Sequence, residues 1–149
     1  MPSCYVFDLD GTIANLDHRL HYIQKEAKDW RGFFAAVGDD SPIEPIVTLM
    51  RNLYAGPDGY PHLVILSGRS SECRDTTRDW LQQHNVPYHY IYMRAEGDHR
   101  PDFETKKDML DLMLKDNYIP LLFVDDRNQV VDLWRALGYT CLQCAKGDF

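Results

Sequence analysis

The sequence predicts a doubly wound α/β fold: a Rossmann-like, mostly parallel sheet with a small helical cap inserted after the first strand. Short apolar runs typical of buried strands alternate along the chain with longer segments of helical periodicity. Polar residues directly follow several of the strand-like runs. Residues 1–149 are predicted to form a single domain. A chain of about 150 residues is long enough for one, because it buries roughly 70% of its unfolded surface.

Five apolar, partly β-branched runs are predicted to form strands that are buried on both faces. They span residues 4–7, 62–66, 89–93, 120–124 and 139–142. Four segments with apolar residues at helical spacing are predicted as helices, at 43–54, 75–84, 104–114 and 129–137. The first of these ends before a group of turn-forming residues at 55–59, and the last ends at Gly138.

Residues 15–42 are predicted to form the cap. Two helix-like pieces between 16 and 37 lie between the first strand and the first core helix. They are rich in aromatic residues, namely Tyr22, Trp30, Phe33 and Phe34. An ordinary packed helical hairpin is the alternative, since aromatics at helical spacing usually belong to a core.

The charge and the apolar pattern restrict the functional classes. With 16 basic and 23 acidic residues the net charge is −7, which argues against binding long nucleic acids through their phosphates. A small anionic target is compatible with this charge, since the stretch from Arg69 to Arg100 contains five arginines, counting both ends. No apolar run reaches the roughly 18 residues of a membrane span, and the amino end does not resemble a signal peptide. We therefore expect a cytoplasmic protein with no membrane partner.

Two aspartates end the first predicted strand, in the sequence FDLDGT at residues 7–12. Ligands of doubly wound folds bind at the carboxyl ends of the strands. A turn at Gly11 would let Asp8 and Asp10 approach the same point, so that one attacks a substrate while the other transfers a proton. The alternative is an acidic turn in which Thr12 caps a helix.

Ser67, Gly68 and Arg69 directly follow the second predicted strand. A hydroxyl and backbone amides at this position can bind phosphoryl oxygens, and an arginine can bind a phosphate through two hydrogen bonds. A plain turn at the end of the strand is the alternative.

A lysine pair and an aspartate pair complete the polar clusters. Lys106 and Lys107 lie on the helical segment after the third strand, and only one can face a site because successive helix positions differ by about 100°. Asp125 and Asp126 end the fourth strand, where a hard cation such as Mg²⁺ would compensate the paired acids. A solvated helix face and a helix N-terminus are the respective alternatives.

The four clusters, in this order along the chain, resemble the haloacid dehalogenase superfamily of phosphotransferases. The closer similarity is to the 3′-phosphatase half of phage polynucleotide kinase. It covers most of the chain outside the cap and rests on FDLDGT, on SGR, on the segments 94–102 and 125–135, and on the terminal KGDF. The cap departs most, being longer and richer in aromatics.

The resemblance implies a role for each matching residue. Asp8 would be the nucleophile and Asp10 the general acid/base, with Ser67 and Lys106 binding the phosphoryl group during catalysis. The implied substrate-binding residues are Thr12, Gly68, Arg69 and Arg100. The implied Mg²⁺ ligands are Asp8, the backbone carbonyl of Asp10, Asp125 and Asp126.

The resemblance also implies a reaction and its partners. We expect a magnesium-dependent phosphomonoesterase that acts through an aspartyl-phosphate and removes 3′-phosphates from polynucleotide ends. The alternatives are a 5′- or 3′-mononucleotide phosphatase and, from another class, a receiver-like phospho-signalling module. No GxxxxGK[ST] sequence occurs in these 149 residues, so we expect no kinase half among them, and a separate kinase or ligase is a candidate partner. The oligomeric state is left open.

Overall fold

A computed structural model describes residues 2–149, and its main sheet has five parallel strands. In chain order the strands are β1 Ser3–Asp8, β2 Ala14–Asn15, β3 Ser41–Pro42, β4 His62–Ser70, β5 Tyr90–Arg94, β6 Ile119–Asp125 and β7 Cys141–Gln143. The main sheet has the order β5-β4-β1-β6-β7, which places β1 at its centre.

Helices of two kinds connect the strands. The α-helices are α1 Trp30–Ala35, α2 Glu44–Leu53, α3 Arg74–Gln83, α4 Asp102–Lys115 and α5 Asn128–Ala136. Short 3-10 helices span Asp17–Tyr22, Val37–Asp39 and Ser71–Cys73. The bounds of α2 to α5 lie within two residues of the predicted ones. Within residues 2–149, no helix combines the length and apolar character needed to cross a membrane.

Each face of the sheet has its own apolar core, so the doubly wound, Rossmann-like prediction is confirmed. Successive residues of a strand point to opposite faces, and accordingly Val6 belongs to one core and Phe7 to the other. The first core is covered by α4 and α5, which bury Met113 and Trp134. The second is covered by α2 and α3, with Trp80 buried among them.

β4 extends four residues beyond its predicted end. Its pairing with β5 becomes irregular between Ser67 and Ser70, so the polar residues 67–69 belong to the strand end instead of a following turn. The apolar run stops at Leu66, and an apolar pattern therefore gives no indication of this extension. β7 begins two residues later than predicted.

The segment 15–42 leaves and rejoins the body of the protein through a short antiparallel ribbon, in which β2 pairs with β3. Between these strands lie α1 and two of the 3-10 helices, so the helical content is lower than predicted. Its aromatic side chains pack on one another: Trp30 stacks on Phe34 with ring centroids 6.0 Å apart, and Phe33 meets Phe34 edge to face at 5.4 Å. Trp30 remains 48% exposed.

Candidate active site

Three neighbouring strands end at the same place and bring their polar residues together. β1 lies between β4 and β6, with Asp8 level with Leu66 and Phe7 level with Val124. Asp8, the residue after Leu66 and the residue after Val124 therefore lie side by side. They occupy the carboxyl edge of the sheet, where doubly wound folds bind ligands.

Gly11 allows the turn after β1 to approach the side chain of Asp126, the residue after β6. Its φ of 84° is in the left-handed region, and a Cβ at this position would collide with the Asp126 carboxylate. Thr12 is buried and donates a hydrogen bond to Asp8 Oδ2 at 3.3 Å. The chain continues from Thr12 into β2, so Thr12 does not cap a helix.

Lys106, rather than Lys107, faces the strand-end carboxylates. Its ammonium lies 2.8 Å from Asp8 Oδ1 and 3.0 Å from Asp125 Oδ2, and the side chain is 1% exposed. Asp102, one helical turn earlier, lies 3.6 Å away. Lys107 instead pairs with Asp111 on the surface of α4.

The acidic cluster contains more negative charge than Lys106 can neutralise. Asp8, Asp125 and Asp126 are all buried, and each offers a carboxylate oxygen within 4.8 Å of the others. Burial and the Asp125 carboxylate raise the pKa of Asp8 well above its usual range despite Lys106. Burial also raises the pKa of Asp126. A divalent cation among these oxygens would remove the imbalance, so the three residues fit a metal-binding site.

Asp10 lies in a different environment, between two arginines. Its Oδ1 accepts hydrogen bonds from Arg19 Nη2 at 2.8 Å and Arg69 Nη2 at 2.7 Å. Its Oδ2 has a longer contact, 3.3 Å to Arg69 Nε, and the side chain is 24% exposed. Burial alone would raise the pKa of Asp10, but the Arg69 and Arg19 guanidiniums outweigh it and hold that pKa below its usual range.

The buried carboxylate of Asp40 binds both arginines that contact Asp10, Arg19 and Arg69. Its carboxylate accepts from Arg19 Nε at 2.8 Å and from Arg69 Nη2 at 2.9 Å. Trp80 donates to the Asp40 backbone carbonyl at 2.7 Å. The Arg19 guanidinium also lies 4.3 Å from the centre of the Phe33 ring, a cation–π contact. The segment 15–42 therefore contributes directly to the position of Asp10.

Sequence reasoning did not identify Arg19, Asp40 or Asp102 as site residues. Arg19 and Asp40 lie in a segment whose aromatic residues dominate its pattern, and only the fold brings them beside Asp10. Asp102 could have been found, because it lies four residues before Lys106 and hence on the same helix face.

The residues at the end of β4 have definite contacts. Ser67 is fully buried, and its Oγ accepts from the Arg69 amide at 3.1 Å. A Cβ on Gly68 would collide with the Asp102 carboxylate, and the Gly68 carbonyl accepts from Arg94 Nε at 2.9 Å. Arg69 is 1% exposed, and its buried guanidinium binds the Asp10 carboxylate.

Arg100 is not brought into this group of contacts. Its guanidinium is 47% exposed and pairs with Asp98 at 2.8 Å and with Asp108 at 2.6 Å. Both carboxylates lie on the surface of the loop and helix after β5. Its predicted substrate-binding role remains a prediction.

The chain matches a known protein family along nearly its whole length. The model of the polynucleotide kinase PNKP phosphatase domain, a haloacid dehalogenase-type family, matches residues 2–149. The chain belongs to this family. It is therefore a phosphatase enzyme of the haloacid dehalogenase type, and the resemblance predicted from the motifs is confirmed.

Relatives of this phosphatase are longer proteins. One, from Autographa californica nuclear polyhedrosis virus, is named "Putative bifunctional polynucleotide kinase/RNA ligase"; it is 27% identical over 137 residues, which are 91% of this chain and 18% of the relative. A chain in the solved Pnkp1/Rnl/Hen1 complex is 31% identical, with a TM-score of 0.84 over the whole phosphatase. A chain of the Pnkp1/Rnl/Hen1 RNA repair complex is 29% identical, also at 0.84. The phosphatase spans 48% and 44% of those two chains.

A more distant structure shares the fold alone. The class C acid phosphatase from Bacillus anthracis has a TM-score of 0.66 and 14% identity, over 95% of the phosphatase and 65% of that chain.

Proposed function

We propose that this phosphatase removes 3′-phosphates from polynucleotide ends through an aspartyl-phosphate on Asp8, with Mg²⁺ in the acidic cluster. One observation carries the proposal: Asp8 and Asp10, two residues apart, lie in separate environments. Asp8 contacts a lysine, whereas Asp10 contacts two arginines. Covalent phosphoryl transfer needs one group to attack and a second to exchange protons with the leaving group and water.

In the proposed first step, Asp8 attacks phosphorus and the bond to the substrate's 3′-oxygen breaks. A carboxylate and a dianionic phosphate at about 4 Å, with an effective dielectric constant near 20, repel by roughly 8 kcal/mol. Lys106, 2.8 Å from Asp8 Oδ1, offsets part of that repulsion. Because Ser67 Oγ accepts from the Arg69 amide, its own hydrogen is free to donate to a phosphoryl oxygen.

The acidic cluster supports the metal part of the proposal. Its three buried carboxylates are hard oxygen ligands, which Mg²⁺ prefers. We propose that Asp8, Asp126 and the backbone carbonyl of Asp10 hold the ion, with Asp125 in or just behind that shell. When bound, Mg²⁺ would neutralise negative charge on the transferring phosphoryl group.

Asp10 is proposed to give the proton of its carboxylic acid form to the leaving 3′-oxygen. The carboxylate so formed then accepts a proton from the water that hydrolyses the aspartyl-phosphate, which returns Asp10 to its protonated form. The arginines favour its carboxylate form, which is the form needed to activate water. They also fix its orientation, since Oδ1 is shared by Arg19 and Arg69. Oδ2, with its single longer contact, is the oxygen available for proton exchange.

The substrate class rests on the family and the relatives. The family is named for polynucleotide kinase, the viral relative's name includes RNA ligase, and one structural relative is part of an RNA repair complex. These names support a phosphorylated polynucleotide end as the substrate. They also support a kinase or a ligase as the activity that acts on the same end.

A hydrolysis panel tests the proposal. Phosphate release would be measured with Mg²⁺ on RNA and DNA oligonucleotides carrying a 3′-phosphate, on the same oligonucleotides carrying a 5′-phosphate, and on mononucleotides. We expect the 3′-phosphorylated ends to have the highest kcat/KM. If 5′-mononucleotides were the best substrates, the protein would be a mononucleotide phosphatase.

A further inference from the structure

A shallow cavity of about 380 Å³, largely open to solvent, lies on the surface between the C-terminal segment 143–148 and Asn128, the first residue of α5. Its volume is in the range of roughly 300–1,000 Å³ that small-molecule sites occupy. The proposed chemistry uses none of the residues that line it.

The walls of this cavity contact residues of the acidic cluster and their neighbours. Gln143 Nε2 donates to the Asp126 backbone carbonyl at 3.0 Å, and the Gly147 carbonyl accepts from the Asn128 amide at 2.9 Å. A Cβ on Gly147 would collide with the Asp126 carbonyl. Cys144 Sγ lies 3.5 Å from Thr12 Oγ1, which itself contacts Asp8. The walls of the cavity therefore contact the backbone of Asp126, a member of the acidic cluster, and approach Asp8 through Thr12.

Lys146 is the cation of this cavity. It is exposed and forms no ion pair within residues 2–149, whereas Lys106, Arg69 and Arg100 are all paired with carboxylates. Asn128 Oδ1 accepts from Gln143 at 2.6 Å, which leaves the Asn128 NH₂ group as a further donor. Asp148 is the one acid in the lining, so donors and an acceptor are present together.

We propose that this cavity binds the second nucleotide from the 3′ end of the substrate, with Lys146 contacting the phosphodiester that joins it to the terminal nucleotide. The inference rests on the proposed function. An ammonium suits the single negative charge of a phosphodiester, and the neighbouring amide groups suit the polar edge of a ribose or base. Because the protein has a net charge of −7, a single local cation such as Lys146 would bind only the first few nucleotides of the substrate.

The test compares Lys146→Ala with Lys115→Ala, which removes an exposed lysine at the end of α4. The substrates are a 3′-phosphorylated dinucleotide, a 3′-phosphorylated mononucleoside without a phosphodiester, and p-nitrophenyl phosphate. Lys146→Ala should lower kcat/KM for the dinucleotide about three- to tenfold through KM, and reduce its salt dependence by about one phosphate contact. Its activity on the other two substrates should change less than twofold, and Lys146→Arg should restore the dinucleotide. Lys115→Ala should leave all three substrates unaffected.

Binding of the dinucleotide to Asp8→Asn protein, with and without Lys146→Ala, gives a readout that does not depend on turnover. Unchanged binding and unchanged dinucleotide kinetics would overturn the subsite. An equal loss of kcat/KM for p-nitrophenyl phosphate would also overturn it, since Lys146 would then support the acidic cluster instead of binding a nucleotide. A parent protein that hydrolyses p-nitrophenyl phosphate but neither 3′-phosphorylated substrate would instead overturn the proposed function, and the subsite with it.

Discussion

The two halves of the site differ in their charge balance. The acid half consists of Lys106, Asp8, Asp125 and Asp126. The arginine half consists of Arg19, Arg69, Asp10 and Asp40. The acid half contains three carboxylates and one ammonium. The arginine half contains two carboxylates and two guanidiniums. Only the acid half needs a further cation to be neutral.

This difference explains how two aspartates separated by one residue acquire opposite properties. Burial among carboxylates raises the pKa of Asp8, whereas the arginines overcome burial and lower the pKa of Asp10. Paired titratable groups whose environments push their pKa values apart are typical of sites that divide chemical roles. The predictions below test whether the two halves act separately, from the largest expected effect to the smallest.

Asp8→Asn should remove the function of the acid half most completely. We expect kcat to fall by more than about a hundredfold, because an amide cannot act as the nucleophile. Transfer of labelled phosphate to acid-denatured protein should disappear in the same variant. Turnover above a hundredth of the parent value would exclude Asp8 as the nucleophile.

Lys106→Ala should be far more damaging than Lys107→Ala, which serves as its matched control on the same helix. Loss of Lys106 leaves buried carboxylates without their ammonium, so we expect kcat/KM to fall roughly a hundredfold and stability to fall by about 3–5 kcal/mol. Lys107 forms only a surface pair with Asp111. Kinetics and thermal unfolding of both variants would check this order, and the reverse order would show that Lys106 does not serve the site.

Arg19→Ala should weaken the arginine half without affecting the acid half. We expect kcat to fall roughly tenfold to a hundredfold, because Asp10 loses one of the two donors that orient it, while Mg²⁺ affinity stays the same. Arg31→Ala, at an exposed arginine of α1, is the control and should resemble the parent. A parallel loss of Mg²⁺ affinity in Arg19→Ala would mean that the two halves are coupled.

The dependence on substrate length should be the smallest effect. For 3′-phosphorylated mono-, di-, tetra- and dodecanucleotides, kcat/KM should level off after the first few nucleotides. The salt dependence should correspond to roughly one to three phosphate contacts, since the net charge is −7. An efficiency that keeps rising to the dodecamer, with steep salt dependence, would require an extended basic surface or a partner.

The aspartates of the acid half could be predicted from the sequence because they lie at the ends of apolar strands. A parallel sheet brings the carboxyl ends of its strands to one edge, so Asp8 and Asp125 had to lie close together. Lys106 was the harder choice, since Lys107 is adjacent. The resemblance implied Lys106, and the structure places the Lys106 ammonium 2.8 Å from Asp8 Oδ1.

The arginine half could be predicted only in part. Arg69 follows β4's apolar run, but its partner Asp40 lies 29 residues away, at the end of the segment 15–42. Contacts between irregular segments depend on the path of the chain, which no periodic pattern encodes. Arg100 was assigned to the site because it lies in the segment 94–102, which resembles the family. In the structure its guanidinium instead pairs with Asp98 and Asp108.

Mg²⁺ binding to the Asp8→Asn and Asp10→Asn variants tests the separation of the two halves most directly. Calorimetric titration, together with the rise in unfolding temperature on adding Mg²⁺, would be compared with those of the parent protein. Asp8→Asn should lose most of its Mg²⁺ affinity, because a carboxylate of the acidic cluster is removed. Asp10→Asn should bind Mg²⁺ nearly as the parent does while its turnover falls sharply, because its side chain faces the arginines. An equal loss of Mg²⁺ affinity in both variants would contradict the account.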